Sequence, residues 1–187
     1  MITEPSTPFE PLNTGRLCLR LPTVADAPDL AALVTPAIGR WLASWPAPCT
    51  VSLATSRVTA MRVAAQAREA MGCVVELGSE VIGWIEVHRS QQTAHSAQLS
   101  YWIGEAHQGH GFAREAALHL VPEAFQFLDV TTIEAGAQLE NEGSFAVMRA
   151  LGMRYVDERS VYAASRDRHE ACRFYALDRS RVVDGEV

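Results

Sequence analysis

The chain has 187 residues, of which 48% are hydrophobic and 20% are charged, a composition typical of one soluble globular domain. Its net charge of −6 argues against a nucleic-acid partner, which normally binds a basic surface, and is compatible with a cationic substrate. All 16 basic residues are arginines, so Walker phosphate loops and Schiff-base enzymes, which both need a lysine, are excluded.

The N-terminal part of the chain predicts a strand, a helix and a loop. RLCLRL, residues 16–21, alternates apolar and polar side chains and predicts a strand. Thr23 and Asp26 have the spacing of a capping box, which opens a helix that runs to about Val34. The prolines and aromatic residues of WLASWPAPCT, residues 41–50, predict a loop.

The middle of the chain predicts a long helix followed by three strands. Residues 52–70 are rich in alanine, arginine and methionine, and we expect a helix there that ends before Gly72. CVVELGSEVIGWIEVHR, residues 73–89, is predicted to be two strands joined at its central Gly-Ser turn. Residues 97–104 predict a third strand, so these three strands should form an antiparallel meander.

The C-terminal part predicts two helices and three strands. In chain order these lie at 111–128 (helix), 131–139 (strand), 141–151 (helix), 153–165 (strand) and 169–179 (strand). The strand–helix–strand unit from 97 to 139 predicts a right-handed parallel crossover. The full order β-α-α-β-β-β-α-β-α-β-β mixes sheet and helix in one domain, which is the α+β (mixed α/β) class.

The sequence predicts one domain at 15–180, a loose arm at 1–14 and a tail at 181–187. No apolar run reaches the roughly 18 residues that a membrane span needs. The N-terminus lacks the basic start and apolar stretch of a secretory signal, so we expect a cytoplasmic protein without a membrane partner. The four cysteines form no Cys-x-x-Cys pair, and we expect no metal site.

The stretch HQGHGFAREA, residues 107–116, follows a predicted strand and opens a predicted helix. A helix start leaves backbone N–H groups unpaired, and Gly109 and Gly111 would let an anion approach them closely. The stretch therefore indicates a phosphate site. It lacks the spacing of a dinucleotide-binding fingerprint, and glycines alone are also used in ordinary tight turns.

Several motifs in the same order resemble the RimJ/RimL branch of the GNAT superfamily of N-acetyltransferases. They are TGRLCLRLPTVADAPDLAAL, SYWIGEAHQGHGFAREA with its Gln108-x-x-Gly111-x-Ala113 pattern, ENEGSFAVMRALGM and FYALDRSR. The resemblance implies a single mixed, mostly antiparallel sheet with a central β-α-β crossover, flanked by helices. In that fold the fourth and fifth strands, here 97–104 and 131–139, are splayed apart. The implied cosubstrate is acetyl-CoA, without a metal.

The resemblance also implies which residues hold acetyl-CoA. The pyrophosphate would bind backbone N–H groups of the turn that Gln108 opens, namely those of Gly109, His110, Gly111, Phe112, Ala113 and Arg114. The pantetheine arm would pair with the backbone of Tyr101, Trp102 and Ile103 as an added strand. Asn141 would open the next helix and reach the pantetheine, while also serving as a helix N-cap.

The acid that protonates the leaving thiolate departs from the family pattern. Many GNAT enzymes carry a tyrosine for this step in the helix after the asparagine, and the matching residue here is Met148, which cannot donate a proton. Ser144, one turn after Asn141, is the nearest hydroxyl and is our candidate.

The general base departs from the pattern too. Relatives often have a glutamate in the fourth strand where this chain has Gln98, and a glutamine cannot accept the proton. Glu86, in the neighbouring strand among apolar residues, is our first candidate. Glu134, His88, His95, a water relay, and capture of the small neutral fraction of the amine remain alternatives.

The acceptor would bind between the loop 38–49 and the last hairpin, with Trp41 and Trp45 as an apolar wall or as packing that fixes the loop. The expected acceptor is a primary amine, either a small molecule or a protein N-terminus. A catalytically silent acyl-CoA-binding module is the alternative reading, and a phosphate-binding domain unrelated to CoA is the third. The sequence is compatible with a monomer or a homodimer.

Overall fold

The computed structural model describes residues 7–183, and eight strands and six α-helices lie within them. The strands are β1 (Leu12–Asn13), β2 (Leu17–Arg20), β3 (Ala70–Leu77), β4 (Glu80–Arg89), β5 (Ser96–Ile103), β6 (Thr132–Gln138), β7 (Arg154–Ala163) and β8 (Arg168–Asp178). The helices are α1 (Ala27–Leu33), α2 (Pro36–Gly39), α3 (Val51–Gln66), α4 (Phe112–Phe127), α5 (Glu142–Ala150) and α6 (Arg179–Val183). None of these helices is long and apolar enough to cross a membrane.

All eight strands belong to one sheet with the order β1-β2-β3-β4-β5-β6-β8-β7. Neighbouring strands are antiparallel except β5 and β6, which are parallel and are connected through α4. The predicted α+β class, the single mixed sheet and the antiparallel meander β3-β4-β5 are therefore confirmed. The ends of the predicted arm and tail, 1–6 and 184–187, lie outside the described residues.

The predicted boundary between the long helix and the first meander strand is wrong. Helix α3 ends at Gln66, and Ala70 already belongs to β3, whose apolar side chains are buried from Ala70 to Val75. Gly72 does not stop the helix. A Cβ atom on Gly72 would lie 2.4 Å from the sulfur of Met61, so this glycine lets α3 pack closely on the strand. Burial of the strand overrides the local helix propensity of the segment.

Two other departures lie at the ends of the domain. Leu12–Asn13, inside the predicted arm, pairs with β2 as an edge strand. Helix α6, Arg179–Val183, follows β8 directly and crosses the predicted boundary between the domain and the tail. The capping box is present as predicted, because the carboxylate of Asp26 accepts hydrogen bonds from the backbone N–H of Thr23 at 2.7 Å and from its hydroxyl at 3.1 Å.

The two faces of the sheet carry separate cores because neighbouring residues of a strand point to opposite faces. Ile85, Leu99 and Ile133 belong to the core under α4 and α5. Trp84 and Trp102 belong to the core under α1, α2 and α3. Full burial of a large apolar side chain contributes about 1.5–3 kcal/mol relative to exposure, so both layers anchor the sheet between them.

The sheet opens between β5 and β6. The two strands pair only where Ser96–Gln98 runs beside Thr132–Glu134. Past that point β5 stays paired with β4, and β6 stays paired with β8. The backbone edges of Leu99–Ile103 and of residues 135–138 therefore face a slot, and the predicted splay of these two strands is confirmed. This slot determines where the functional site lies.

Candidate active site

A cavity of about 780 Å³ includes the slot and extends to both faces of the sheet. It is lined by parts of β4, β5, β6 and β8, by the turn before α4, by α5 and by the loop after α2. Of the residues predicted to hold acetyl-CoA, His110 alone is not part of the lining, and its ring stacks on Phe112 with centroids 5.6 Å apart. The described residues contain no cluster of three or more side chains that could hold a metal ion.

The turn before α4 has the geometry of an anion site. Gly109 and Gly111 have φ of +77° and +79°, a left-handed conformation that residues with a Cβ rarely adopt. A Cβ atom on Gly109 would meet nothing within 4 Å, so the backbone is open to a ligand. Gly111 is the N-cap of α4, and the first N–H groups of that helix face the turn with the positive end of the helix dipole.

The turn is fixed by residues from distant parts of the chain. The side-chain amide of Gln108 donates to the carbonyl oxygen of Ile103 at 3.1 Å, which ties the turn to the end of β5. Glu115 accepts hydrogen bonds from the hydroxyl of Thr14 at 2.5 Å and from Nε of Arg16 at 2.7 Å. Burial would raise the pKa of Glu115, but these bonds outweigh it and lower the pKa. Sequence reasoning missed Thr14, Arg16 and Glu115.

The strand before the turn presents its backbone edge to the slot. The side chain of Tyr101 points toward α5, where its hydroxyl donates to the carbonyl oxygen of Ser144 at 3.0 Å. Burial raises the pKa of Tyr101, so the phenol stays protonated. Trp102 packs on the opposite face with its ring centroid 5.4 Å from that of Trp45. Its indole N–H is buried with no hydrogen-bond partner among residues 7–183.

Comparison with known proteins identifies the family of the chain. Residues 16–154 match the family described as acetyltransferase (GNAT) domain. The chain belongs to the GNAT acetyltransferase family. The resemblance to this family predicted from the sequence is thereby confirmed.

Solved GNAT structures share the fold over almost the whole chain. Mycobacterium smegmatis RimJ, in complex with a CoA disulfide, superposes with a TM-score of 0.76 at 22% identity, covering 94% of this chain and 93% of RimJ. RimL, a ribosomal alpha-N-protein acetyltransferase in complex with coenzyme A, superposes with a TM-score of 0.78 at 18% identity, covering 90% and 98%.

Similarity in sequence is more local. An uncharacterized N-acetyltransferase of Bacillus licheniformis, p20, is 33% identical over 78 residues, which are 42% of this chain and 44% of p20. The matched segment thus spans less than half the length of this relative.

The start of α5 lies against the slot. Asn141 caps this helix, with its side-chain oxygen accepting from the backbone N–H of Ser144 at 3.1 Å. Met148 is buried and lines the cavity one turn further on, so the position where many GNAT enzymes have a tyrosine holds an apolar side chain here. Ser144 is half-buried and is the hydroxyl that α5 brings to the cavity lining.

A polar row crosses the sheet on the side opposite to α4. Glu86 lies opposite Ser100, and His88 lies opposite Gln98, in the register of β4 and β5. The carboxylate of Glu86 is half-buried and accepts a hydrogen bond from the indole N–H of Trp84 at 3.0 Å. Glu86 therefore faces the cavity at the level where β5 leaves β6.

The other base candidates differ in their surroundings. Glu134 lines the cavity from β6, but Arg159 pairs with its carboxylate at 2.9 Å. His95 is exposed and lies outside the cavity lining, in the turn before β5. Its backbone carbonyl accepts from the N–H of Thr131 at 2.8 Å. Of the predicted bases, Glu86 is the carboxylate that reaches the cavity without an ion-pair partner in the described chain.

The loop after α2 covers the cavity on this polar side. Trp41 is half-buried and lies under the guanidinium of Arg40 at 4.3 Å from the ring centroid. Trp45 is buried between Trp84 and Trp102, with ring centroids 5.7 and 5.4 Å away. Trp45 thus serves both as packing that fixes the loop and as part of the cavity wall.

The β7–β8 hairpin fixes this loop, a contact that sequence reasoning missed. Arg166 donates to the carbonyl oxygens of Gly39 at 2.8 Å and Leu42 at 2.7 Å. Arg166 also pairs with Glu170 at 2.5 Å, and hydrogen bonds from Arg166 are the largest cause that lowers the pKa of Glu170 to about 2. Hydrogen bonds from the β7–β8 hairpin therefore hold the loop that covers the cavity.

Proposed function

We propose that the protein transfers the acetyl group of acetyl-CoA to a primary amine. One observation carries the proposal: the open glycine turn and the unpaired edge of β5 border the same cavity. An anion site alone would fit many ligands. An anion site continuous with a strand-length slot fits a pyrophosphate that carries an extended, amide-containing arm.

In the proposed complex, acetyl-CoA would lie in this cavity in one direction. Its pyrophosphate would bind the N–H groups from Gly109 to Arg114 at the start of α4. Its pantetheine arm would follow the backbone of Tyr101, Trp102 and Ile103 and pass the amide of Asn141. The thioester would then lie near the point where β5 and β6 separate, with Glu86 on the polar side of the sheet and Ser144 on the helix side.

The reaction is a direct attack of the amine on the thioester. The neutral amine forms the C–N bond, and its proton passes to Glu86, directly or through water. A backbone N–H on the slot side of β5 stabilises the oxyanion of the tetrahedral intermediate. When the C–S bond breaks, the thiolate takes a proton from the hydroxyl of Ser144, which solvent then restores.

A catalytically silent acyl-CoA-binding module is the second candidate. The buried Met148 favours the binding module, because an apolar side chain stands where the usual proton donor for the CoA sulfur would be. Gln98 favours it as well, because its amide cannot accept the proton of the amine. Both candidates require the CoA site, and they differ only in turnover.

Two measurements on one variant pair test the proposal. Titration calorimetry with acetyl-CoA compares the wild type with Gly111→Trp, which blocks the turn, and with Gly78→Trp as the matched control. Gly78 has φ of +63° and open space around it, but it lies in the β3–β4 hairpin away from the cavity. We expect binding in the wild type and in the control and loss in Gly111→Trp. Thiol release with a panel of amines then separates an enzyme from a binding module.

A further inference from the structure

The charges at the acceptor end of the cavity restrict which amines can bind there. The acceptor end is the part lined by Trp41 and Trp45, by Glu86 and Ser100, and by Arg166 and Glu170. An amine that attacks the thioester must sit here, between the loop after α2 and the polar side of the sheet. Whether this amine can carry a carboxylate depends on which cationic side chains of the acceptor end are free to pair with it.

Arg166 is not available to bind a substrate carboxylate. Its Nε donates to Glu170 at 2.9 Å, and one terminal nitrogen donates to the same carboxylate at 2.5 Å. The other terminal nitrogen donates to two backbone carbonyls and lies 3.1 Å from the hydroxyl of Ser165. All three nitrogens are thus engaged, and the side chain is 18% exposed. Binding a substrate carboxylate would break the bonds of Arg166 to Glu170 and to the carbonyl oxygens of Gly39 and Leu42 in a half-buried site, which costs free energy.

The acids of the cavity are paired, with one exception. Glu170 holds Arg166 and also Arg168 at 2.8 Å. Glu134 holds Arg159 at 2.9 Å. Glu86 accepts a neutral N–H from Trp84 and has no ion-pair partner within residues 7–183. The acceptor end therefore carries one uncompensated carboxylate.

Two basic side chains, Arg40 and His88, lie near the acceptor end. Arg40 stacks on Trp41 at the rim but is not among the residues that line the cavity. His88 lines the cavity opposite Gln98, two residues after Glu86 on β4.

We propose that the acceptor is an amine that bears no carboxylate on the carbon next to the reacting nitrogen. This inference rests on the proposed function and specifies its substrate class. The ammonium form of such an amine is attracted to Glu86. The α-carboxylate of a free amino acid would instead approach the unpaired charge of Glu86, and Arg166, the one arginine among the residues that define the acceptor end, is already engaged. An amide in place of that carboxylate is neutral and avoids this repulsion.

Matched pairs of products test the charge without interference from amine basicity. N-acetyl-L-alanine and N-acetyl-L-alaninamide have nearly the same shape and differ by one charge, and the corresponding serine pair gives a second comparison. We expect each amide to bind the CoA-loaded protein roughly tenfold or more tightly than its acid at about pH 8, by calorimetry. In Glu86→Gln the difference should shrink to about threefold or less, with CoA affinity unchanged.

The other outcomes are equally informative. Equal or tighter binding of the acids, or a preference for the amides that survives in Glu86→Gln, would overturn the inference. If the proposed function is wrong, the protein will neither bind CoA nor release thiol with any amine. Equal acetylation of alanine and alaninamide would instead contradict the inference about the acceptor and leave the proposed function standing.

Discussion

Arg166, in the turn between β7 and β8, donates to the carbonyl oxygen of Leu42 at 2.7 Å across 124 positions of the chain. The same guanidinium reaches the carbonyl oxygen of Gly39, and the N–H of Ser165 reaches the carbonyl oxygen of Ala43 at 2.9 Å. These bonds fix the loop that carries Trp41 and Trp45. In the proposed function, this hairpin shapes the acceptor end without contacting acetyl-CoA.

Arg166→Met should therefore impair use of the amine more than binding of acetyl-CoA. The loop loses the guanidinium that donates to the carbonyl oxygens of Gly39 and Leu42, and Glu170 loses its main partner, so we expect KM for the amine to rise about tenfold or more. We expect the Kd of acetyl-CoA to change by less than about twofold, because the turn before α4 and the slot are not contacted by Arg166.

Arg168→Met is the matched control for this variant. Arg168 pairs with the same carboxylate, Glu170, at 2.8 Å, but it is 65% exposed and makes no hydrogen bond to the loop in the described structure. Steady-state kinetics should show wild-type KM values for both substrates. Equal effects of the two variants would mean that the charge of Glu170, rather than the bridge to the loop, governs the acceptor end.

Glu170 should make the folded state sensitive to acid. Its carboxylate has a pKa lowered from 4.5 to about 2, mainly by hydrogen bonds from Arg166. A lowered folded-state pKa means that the stabilisation is present above the unfolded value and is lost as the pH falls from about 4.5 toward about 2. The shift corresponds to an upper bound of about 3 kcal/mol.

Glu170→Gln checks this sign. The variant cannot titrate at this position, so its free energy of unfolding should fall less steeply than that of the wild type below about pH 4.5. Urea unfolding at several pH values measures the difference between the two proteins. Parallel curves through this window would show that the Arg166–Glu170 pair does not stabilise the fold through its charge.

Gly136 makes room for an aromatic ring of the cavity wall. A Cβ atom at this position would lie 2.4 Å from Cε1 of Phe174, and the guanidinium of Arg159 lies over the same ring, 3.8 Å from its centroid. The ring cannot move away freely, so Gly136→Ala should lower the free energy of unfolding by about 1–3 kcal/mol.

Gly143→Ala provides the comparison for Gly136→Ala. Its Cβ atom would meet only the side-chain oxygen of Asn141, at 3.7 Å, which is ordinary contact. Because Gly143 lies within α5, alanine should be neutral or stabilise the protein by up to about 1 kcal/mol. Thermal or denaturant unfolding of both variants should show opposite signs, and similar values would argue against crowding at Phe174.

Local patterns explain which parts of the fold could be predicted from the sequence. The strands β3, β4 and β5 follow from apolar runs and one Gly-Ser turn, and the anion turn follows from glycines placed between a strand and a helix. Each of these signals lies within a few residues. The family resemblance matched Asn141, Met148 and Gln98 to positions that have functional roles in relatives, and the cavity lining includes all three.

The contacts that shape the site from a distance could not be predicted in this way. The bond from Arg16 to Glu115 spans 99 positions, and the bond from Arg166 to Leu42 spans 124. Charged residues on a surface have no periodicity that reveals their partners, and backbone carbonyls have no sequence signal. A packing contact at Gly72 could not be predicted either. The local sequence indicates that Gly72 ends a helix, whereas in the structure it lies in β3 and leaves room for the sulfur of Met61.

Ser144→Ala should separate chemistry from binding. The hydroxyl of Ser144 makes no hydrogen bond in the described structure, whereas its N–H and carbonyl groups are bonded to Asn141 and Tyr101. Alanine keeps those backbone bonds, so α5 and the affinity for acetyl-CoA should be unchanged. If Ser144 protonates the thiolate, kcat should fall about 100-fold, within the range of general-acid contributions. Ser100→Ala is the control, because Ser100 lines the same cavity opposite Glu86. Its kcat should stay within about threefold of the wild-type value. A wild-type kcat in Ser144→Ala would show that the thiolate leaves without this proton donor and would assign the step to solvent.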